Sequence, residues 1–384
     1  MMEKKKLYFA PLEGVAGYIF RNIYADFFDD VDKYFSPFVV TRPSGIMKNK
    51  ELRDILPENN ENISLVPQIL ANNADGFINA AGQMRELGYN EVNLNLGCPS
   101  GTVVSKKRGA GFLRYPEELD EFLDRIYTEC DMKISVKTRI GFENPDEIYR
   151  LIEIFNKYPV YELIIHPRTR QDMYKNKPNL EMFDYALNTS KNPVCYNGDI
   201  KTKSDYDMIT ERFPDTDSIM IGRGILANPG LFGQIRGKGA IDKEFFKKYH
   251  QAIFDKFCQV YDGDTFILFK LKELWAYFAN DFDDADKYVK KIRWISDFDI
   301  IISNSRLYPR LLLLFLLLKI FYTKKRTVVF HHHFNYMTQK GFKRYIHKFL
   351  ELSFLKTVDT VIIPSPYIRD LMIKYCPNIK IEYL

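Results

Sequence analysis

A single cysteine, Cys98, lies in the stretch of this sequence with the clearest chemical potential. Val92 and Leu94 alternate with polar residues before it, which is typical of the end of a short buried strand. Gly97 and Pro99 flank the cysteine, so no regular element continues through it. The pattern predicts a thiol on a tight turn at the carboxyl end of a strand, where α/β barrels keep their catalytic groups. A small cysteine that only packs in a turn is the alternative.

Polar residues or glycines close six successive predicted strands. Packing alone does not explain them, because a barrel built only for stability keeps polar groups off its buried strand ends. Each taken singly is compatible with a satisfied surface group, but together they are expected to converge on one rim. In chain order, these residues are Gln68, Asn95 with Cys98, Lys137 with Arg139, His166 with Arg168, Asn197 with Gly198 and Asp199, and Gly222 with Arg223 and Gly224.

The last two strand ends favour a ligand that carries a phosphate. Residues 197–199 and 222–224 offer backbone N–H groups beside glycines, and Arg223 adds a fixed cation, where barrels commonly hold a phosphate. Lys137 is suited to offer its ammonium to the electron-rich edge of a flavin ring, and Gln68 to hydrogen-bond the ring from beside it. FMN meets all of these requirements, so we expect it as the cofactor.

Short apolar strands alternate with helices as far as residue 221. Eight such strands indicate an α/β fold, a (β/α)8 TIM barrel, because an open doubly wound sheet rarely uses so many. The predicted strands are 7–10, 35–41, 64–69, 91–94, 133–138, 161–165, 193–196 and 218–221. The predicted helices are 18–28, 75–87, 116–127, 145–156, 179–187 and 202–211.

Composition places the chain among globular proteins. Its 384 residues are 46% hydrophobic, which suffices for a large core and a second unit. Five scattered cysteines without a CxxC pair predict neither a zinc site nor a disulfide framework, and fit a reducing cytoplasm. No signal-peptide run precedes Pro11, and the apolar run at 311–318 is far shorter than the roughly 18 residues of a membrane span. We therefore expect a cytoplasmic protein that does not cross a membrane.

The net charge of +5 does not by itself indicate a nucleic-acid partner. The basic excess falls after residue 293, whereas the preceding part of the chain is slightly acidic. Only local patches such as Lys106, Lys107 and Arg108 favour binding to RNA.

A set of short motifs follows in a fixed order: APLEGV, NLGCPS with KKRGAG, KTRIG, HPRTR, NGD and IGRG. Together they resemble the tRNA-dihydrouridine synthase family over residues 1 to about 293. The resemblance implies an FMN-containing barrel that reduces the C5–C6 double bond of a uridine in tRNA with NADPH as reductant. It makes Cys98 the proton donor, and places Glu13 where many members have alanine. The residues that match the family's flavin site are Pro11, Leu12, Glu13, Gln68, Lys137, His166, Asn197, Gly198, Asp199, Gly222 and Arg223.

The chemistry also fits the residues themselves. A thiol with an ordinary pKa near 8.5 is mostly protonated at neutral pH, so Cys98 can donate a proton while presenting little charge. A uridine must leave its stack to reach such a pocket. Ordinary solvated charges are the alternative to the RNA contacts that we predict. Those contacts are Asn95, Lys106, Lys107, Arg108, Arg139, Arg168 and Arg170.

Beyond Arg223 the pattern changes to helices alone, predicted at 242–261, 266–281 and 284–293. Phe245, Tyr249, Ile253 and Phe257 recur at helical spacing, which predicts a face buried in a core. We predict an FMN-binding barrel over 1–238 and a helical domain over 239–293. In the family that domain grips tRNA, and here it is expected to end before its last helix.

From residue 294 onward, apolar strands at 298–305, 327–333 and 360–366 alternate with an apolar helix at 310–322. The segment resembles the amino-terminal half of a GT-B glycosyltransferase, including histidines 331–333 at a strand end. We predict a partial, Rossmann-like α/β segment over 294–384, with no activity of its own because no nucleotide-sugar domain follows it. Three consecutive histidines lack the spacing of helical metal ligands, so no metal is expected.

Two alternatives stay open. A dihydroorotate-dehydrogenase type of flavin barrel would need neither the helical region nor the HPRTR and KKRG loops. A glycosyltransferase-related fusion fragment or a scaffold would place the function in the tail. We expect the chain to act as a monomer.

Overall fold

The computed structural model describes residues 4–261, 264–281, 300–302, 328–330, 360–363 and 380–383. The chain divides into two compact units, Met1–Asp283 and Asp284–Leu384, and each is described by itself. The predicted domain limits at residues 238 and 293 stay predictions.

Eight parallel strands close into a barrel in the first unit, in the order β1 to β8. Pairing of the first strand with the last closes it, with Leu7 opposite Ile219 and Phe9 opposite Ile221. The predicted (β/α)8 barrel is therefore confirmed. The strands are β1 Lys6–Phe9, β2 Lys33–Val40, β3 Leu65–Leu70, β4 Glu91–Leu96, β5 Lys133–Gly141, β6 Leu163–Thr169, β7 Val194–Tyr196 and β8 Ser218–Ile221.

Helices follow the strands along the first unit. Helix α2 is absent from the predicted set because it is a short surface element that buries only Asp54 and Ile55, which leaves no clear periodicity. The α-helices are α1 Tyr18–Phe27, α2 Asn49–Ile55, α3 Ala74–Glu86, α4 Gly101–Val104, α5 Pro116–Glu129, α6 Glu147–Phe155, α7 Leu180–Thr189, α8 Lys203–Arg212, α9 Arg223–Ala227, α10 Leu231–Ile235, α11 Lys243–Val260 and α12 Asp264–Phe278. Short 3₁₀ helices occupy Pro57–Asn59, Gly109–Arg114 and Ala279–Asp281.

The side chains inside the barrel differ in polarity along its axis. A small apolar cluster that includes Tyr8, Phe35, Val66 and Met220 fills part of it. Buried polar side chains lie towards both ends of the strands, and those at the carboxyl ends form a polar floor beneath the loops of the rim.

Strands β5 and β6 run farther than predicted. Arg139 is only 1% exposed, and its guanidinium donates to the carbonyls of Gly97 and Thr169 at 2.9 and 2.8 Å. A charged residue that is satisfied in this way can sit inside a strand, although in the sequence it looks like the start of a loop.

Helices α11 and α12 belong to the same compact unit as the barrel. Tyr249, Ile253 and Phe257 of α11 are buried, which confirms their predicted core role. The Tyr249 ring packs edge-on against Tyr24 and Phe28, with centroids 6.3 and 5.3 Å apart. An aromatic seam therefore joins α11 to α1. The helix predicted at 284–293 lies outside the described residues.

The described part of the second unit is a parallel sheet of four strands in the order β12-β11-β10-β9. These strands are β9 Ile300–Ile302, β10 Val328–Phe330, β11 Thr360–Ile363 and β12 Lys380–Tyr383. The first three lie in predicted strands, whereas the fourth was not predicted. The helix predicted at 310–322 and the histidines at 331–333 lie outside the described residues. No helix in the described parts of the chain is long and apolar enough to cross a membrane.

Candidate active site

The loop after β4 holds Cys98 half-buried at the carboxyl end of the strand. The backbone N–H groups of Gly97 and Cys98 both donate to Oδ1 of Asn95, at 3.0 and 2.9 Å. The chain then turns through α4 and returns, so that the N–H of Ala110 donates to the Cys98 carbonyl at 3.0 Å. A Cβ on Gly109 would lie 2.9 Å from that carbonyl oxygen, and Gly109 has a φ of +55°. Only glycine fits this contact, which explains the GAG sequence.

The surroundings of Cys98 keep its sulfur protonated. Burial raises the pKa of the thiol, and the negative charge of Glu13 raises it further. The backbone N–H of Ser100 opposes the shift most, followed by the charges of Arg139 and Lys137, but together they do not cancel it. The Cys98 thiol is therefore neutral at physiological pH rather than a standing thiolate.

Lys137 on β5 lies opposite Asn95 in the strand register. Burial and the neighbouring charge of Arg139 lower the pKa of Lys137 to about 8. Among the residues that the structure describes, no hydrogen bond or ion pair engages its ammonium. The ammonium is thus desolvated and has no partner among the described residues, which suits it to bind an electron-rich ligand.

Asp199 joins two arginines at the rim. The Arg168 guanidinium holds its carboxylate with bonds of 3.1 and 2.6 Å, and Arg223 donates to it at 2.8 Å. Burial raises the pKa of Asp199, but the hydrogen bonds and charge of Arg168 and the charge of Arg223 outweigh it, so the net shift is downward. Asp199 stays ionised and fixes both guanidiniums in place.

His166 lies in this positive region as a neutral ring. Burial, followed by the charges of Arg139, Lys137, Arg168 and Arg223, lowers its pKa well below the ordinary value. Its Nε2 lies 3.1 Å from Nη1 of Arg168 and accepts that bond, which leaves the proton on Nδ1.

One cleft collects most of the predicted flavin contacts. Its wall is tight at two glycines: a Cβ on Gly198 would overlap the Tyr196 hydroxyl, and one on Gly224 would lie 2.0 Å from the Ile200 carbonyl oxygen. The cleft is lined by Ala10, Pro11, Leu12, Lys137, His166, Tyr174, Asn197, Gly198, Asp199, Ile200, Lys201, Gly222, Arg223 and Gly224.

The other two predicted contacts lie outside this lining. Gln68 is fully buried inside the barrel, where its amide bonds Asn93 and Asn95. Glu13 is half exposed, 3.8 Å from Lys50, and partial burial raises its pKa.

The predicted RNA contacts fall into two groups. Lys106 and Lys107 are exposed, and the Lys107 ammonium lies 3.1 Å from Glu118. Arg108 is half-buried and donates to Asn72 and Thr41, while Arg170 lies 5.5 Å from the Phe142 ring. The second group, Asn95, Arg139 and Arg168, is buried and holds loops together. A contact with RNA stays a prediction for every one of these residues.

Sequence reasoning missed Tyr174, which is 48% exposed in the loop after β6. The centre of its ring lies 4.2 Å from the Arg223 guanidinium and 6.0 Å from the His166 ring. It also missed Asn93, which donates and accepts inside the barrel. The alternation of β4 could have indicated Asn93, but no local pattern places Tyr174 against a residue some fifty positions later.

Residues 8–297, about three quarters of the chain, match the family model described as Dihydrouridine synthase. The chain belongs to the dihydrouridine synthase family. A relative from Helicobacter pylori (strain ATCC 700392 / 26695), named "Probable tRNA-dihydrouridine synthase", is 30% identical over 290 residues, 71% of this chain and 83% of its own. "tRNA-dihydrouridine synthase B" of Pasteurella multocida (strain Pm70) is 26% identical over 230 residues, 60% of this chain and 68% of its own.

Two further comparisons concern the fold and the tail of this dihydrouridine synthase family member. The solved structure of morphinone reductase covers 63% of this chain and 88% of its own at 12% identity, with a TM-score of 0.43, too distant a likeness to bear on function. Residues 259–384 match the Glycosyltransferase Family 4 model, which confirms the predicted resemblance of the tail. The two family matches share residues 259–297.

Proposed function

We propose that this chain is an FMN-dependent tRNA-dihydrouridine synthase that uses NADPH and takes its proton from Cys98. The observation that supports this best is the Lys137 ammonium in the cleft, which has no hydrogen-bond partner in the described residues and lies near enough to the Cys98 thiol for its charge to lower the pKa of Cys98. The family match and the names of the relatives supply the substrate class, uridine in tRNA.

The residues of the cleft fit FMN. The backbone at 197–199 and 222–224 lines the cleft where a phosphate would bind, and Arg223 supplies a cation for it. The ammonium of Lys137 would take the electron-rich edge of the ring. The positive charges of Lys137, Arg139, Arg168 and Arg223 exceed the single negative charge of Asp199, so the site favours a phosphate dianion.

The proposed reaction adds a hydride and a proton across one double bond. Bound FMN, recharged by NADPH, would supply the hydride to C6 of the uracil. The Cys98 thiol gives its proton to C5, and the S–H bond breaks as the C–H bond forms. Lys137 and Arg139 favour the thiolate that remains, because both lower the pKa of Cys98. A proton from solvent then restores the thiol.

We further propose that tRNA contacts come from the exposed Lys106 and Lys107 of the basic loop, together with the half-buried Arg108 and Arg170. The buried Arg139 and Arg168 act on RNA only indirectly: Arg139 holds the Gly97 carbonyl, and Arg168 holds Asp199. Asn95 likewise supports the backbone of the Cys98 loop. The helical region would grip tRNA, and a monomer in the cytoplasm is the form in which we expect the chain to act.

Purified protein is expected to be yellow and to release FMN on denaturation. Arg223→Ala should weaken FMN binding by about tenfold or more, because a charge-assisted phosphate contact contributes roughly 1.5–3 kcal/mol. Titration of FMN into the flavin-free chain, followed by fluorescence quenching, measures the loss. Arg236→Ala is the matched control, since Arg236 pairs with Asp32 and does not line the cleft. A wild-type chain that cannot be reconstituted with FMN would refute the proposal.

The tail is expected to be dispensable for uridine reduction. Every residue to which we assign this chemistry precedes Gly224, and the family match ends at residue 297. A chain cut after residue 297 should form dihydrouridine in unmodified tRNA at a rate within about twofold of the full chain. Loss of activity from a truncated chain that stays folded and flavin-loaded would contradict the prediction and transfer function to the tail.

A further inference from the structure

A chain of buried hydrogen bonds crosses the barrel from the Cys98 loop to its opposite end. Oδ1 of Asn95 accepts from the Cys98 N–H, and its Nδ2 donates to Oε1 of Gln68 at 2.7 Å. Nε2 of Gln68 donates to Oδ1 of Asn93 at 2.7 Å. This series of hydrogen bonds, called the wire below, continues from Asn93, whose Nδ2 donates to Oγ of Ser135 at 3.0 Å.

The lower end of the wire is a carboxylate. The Ser135 hydroxyl donates to Oε1 of Glu91 at 2.8 Å, and the other oxygen of Glu91 pairs with Lys33 at 2.7 Å. Gln68, Asn93 and Ser135 are all fully buried. Residues 91 and 95 are four positions apart on β4, so the wire spans about 13 Å.

Both ends of this wire permit only one direction of donation. A carboxylate can only accept, so Ser135 must donate to Glu91 and has its lone pairs left for Asn93. Backbone N–H groups can only donate, so Asn95 must present its oxygen to Gly97 and Cys98. Every amide between these ends has its oxygen and nitrogen fixed in turn, because reversing one would set two donors or two acceptors against each other.

We propose that Ser135, Asn93 and Glu91 are positioning residues, which hold the amides of Gln68 and Asn95 in the orientation that supports Cys98 and the flavin ring. The part that concerns the ring rests on the proposed function. The part that concerns Cys98 does not, because its hydrogen bonds belong to the chain alone. The distant carboxylate of Glu91 thus helps to set the geometry at the opposite end of the barrel.

Ser135→Ala in the full-length chain tests this proposal. It removes the acceptor of Asn93, so that only the Gly97 and Cys98 N–H groups still set the orientation of the amides, and FMN affinity should fall about three- to tenfold. In the flavin-free chain, site-resolved alkylation of Cys98 by iodoacetamide should become about threefold faster or more, because the loop loses part of its support. Ser135→Thr, which keeps the hydroxyl, should restore both values towards the wild type.

Ser218→Ala is the matched control. Ser218 is also a fully buried serine whose hydroxyl donates to a carboxylate, that of Glu162, at 2.6 Å, but it is not a member of the wire. Ser218→Ala should change the melting temperature about as much as Ser135→Ala, while both site readouts stay within about twofold of wild type. Equal effects of the two variants on Cys98 alkylation and FMN affinity would overturn the proposal.

If Ser135→Ala does not fold, Glu91→Gln and its control Glu162→Gln take its place, since both keep the side-chain volume. Glu91→Gln should shift Cys98 alkylation in the same direction but less, because the amide no longer forces Ser135 to donate. Identical alkylation rates in these two variants would also overturn the proposal. Failure of the wild type to bind FMN would refute the proposed function instead, and the alkylation rates would still decide the role of the wire.

Discussion

Cys98→Ala should slow dihydrouridine formation about 10²- to 10⁴-fold while FMN binding and flavin reduction by NADPH stay nearly unchanged. The thiol acts only when the uracil takes up a proton. Removal of the thiol therefore raises the activation barrier of that step and leaves the cleft that would hold the cofactor unchanged. Because burial and Glu13 raise the pKa of Cys98, the wild-type activity should persist through neutral pH and fall only at alkaline pH.

Single-turnover oxidation of pre-reduced flavin by tRNA isolates the affected step. Cys130→Ala is the control, because Cys130 is a half-buried free cysteine at the end of α5, away from the rim. The pre-reduced flavin of the Cys130→Ala variant should be oxidised by tRNA at the wild-type rate. If Cys98→Ala also oxidises with tRNA as fast as wild type, Cys98 is a structural turn residue and another group on the rim supplies the proton.

Lys137→Met should weaken FMN binding about 10- to 100-fold at pH 7, because it removes the uncommitted ammonium from the cleft. Burial lowers the pKa of Lys137 to about 8. The ammonium form of Lys137 binds the flavin. In the wild type the contribution of Lys137 to FMN affinity is therefore complete well below pH 8 and declines as the pH rises through 8. The affinity should fall about tenfold per pH unit above that point.

Fluorescence titration between pH 7 and 9.5 measures this effect in a range where the phosphate remains a dianion. Lys137→Met should show no such decline, whereas Lys133→Met should follow the wild-type curve. Lys133 is an exposed lysine at the start of the same strand, with its ammonium 4.8 Å from the centre of the Tyr161 ring. A wild-type affinity that is constant across this range would exclude the Lys137 ammonium as a flavin contact.

Much of the barrel and its rim could be predicted from the sequence. Short apolar runs separated by helical periodicity give the number of strands, and eight of them favour a closed barrel because an open doubly wound sheet rarely uses so many. Gly198 and Gly224 stand where a side chain would overlap Tyr196 or the Ile200 carbonyl, so they mark the tight packing of the loops that line the cleft. The grouping of Lys137, Asp199 and Arg223 in one cleft follows from their shared position at strand ends.

The remaining features depend on contacts between distant parts of the chain. Strand β5 runs past Arg139 because carbonyls of Gly97, Thr169 and Met173 satisfy the guanidinium, and none of these partners is visible in the local sequence. Tyr174 lies against Arg223 only because the long loop after β6 folds back over the rim. The amide orientations of the barrel wire likewise depend on the register between β3, β4 and β5.

The aromatic seam of Tyr24, Phe28 and Tyr249 fixes helix α11 to the barrel wall. A second contact holds α12, because the Lys270 ammonium donates to the Gly14 carbonyl at 2.8 Å. An RNA held by these helices would therefore lie at a constant distance from Cys98, and only a uridine at that distance along the folded RNA would reach the thiol. On this geometry, a change in which uridine is modified requires a new docking orientation of the RNA, since these contacts hold the helices against the barrel.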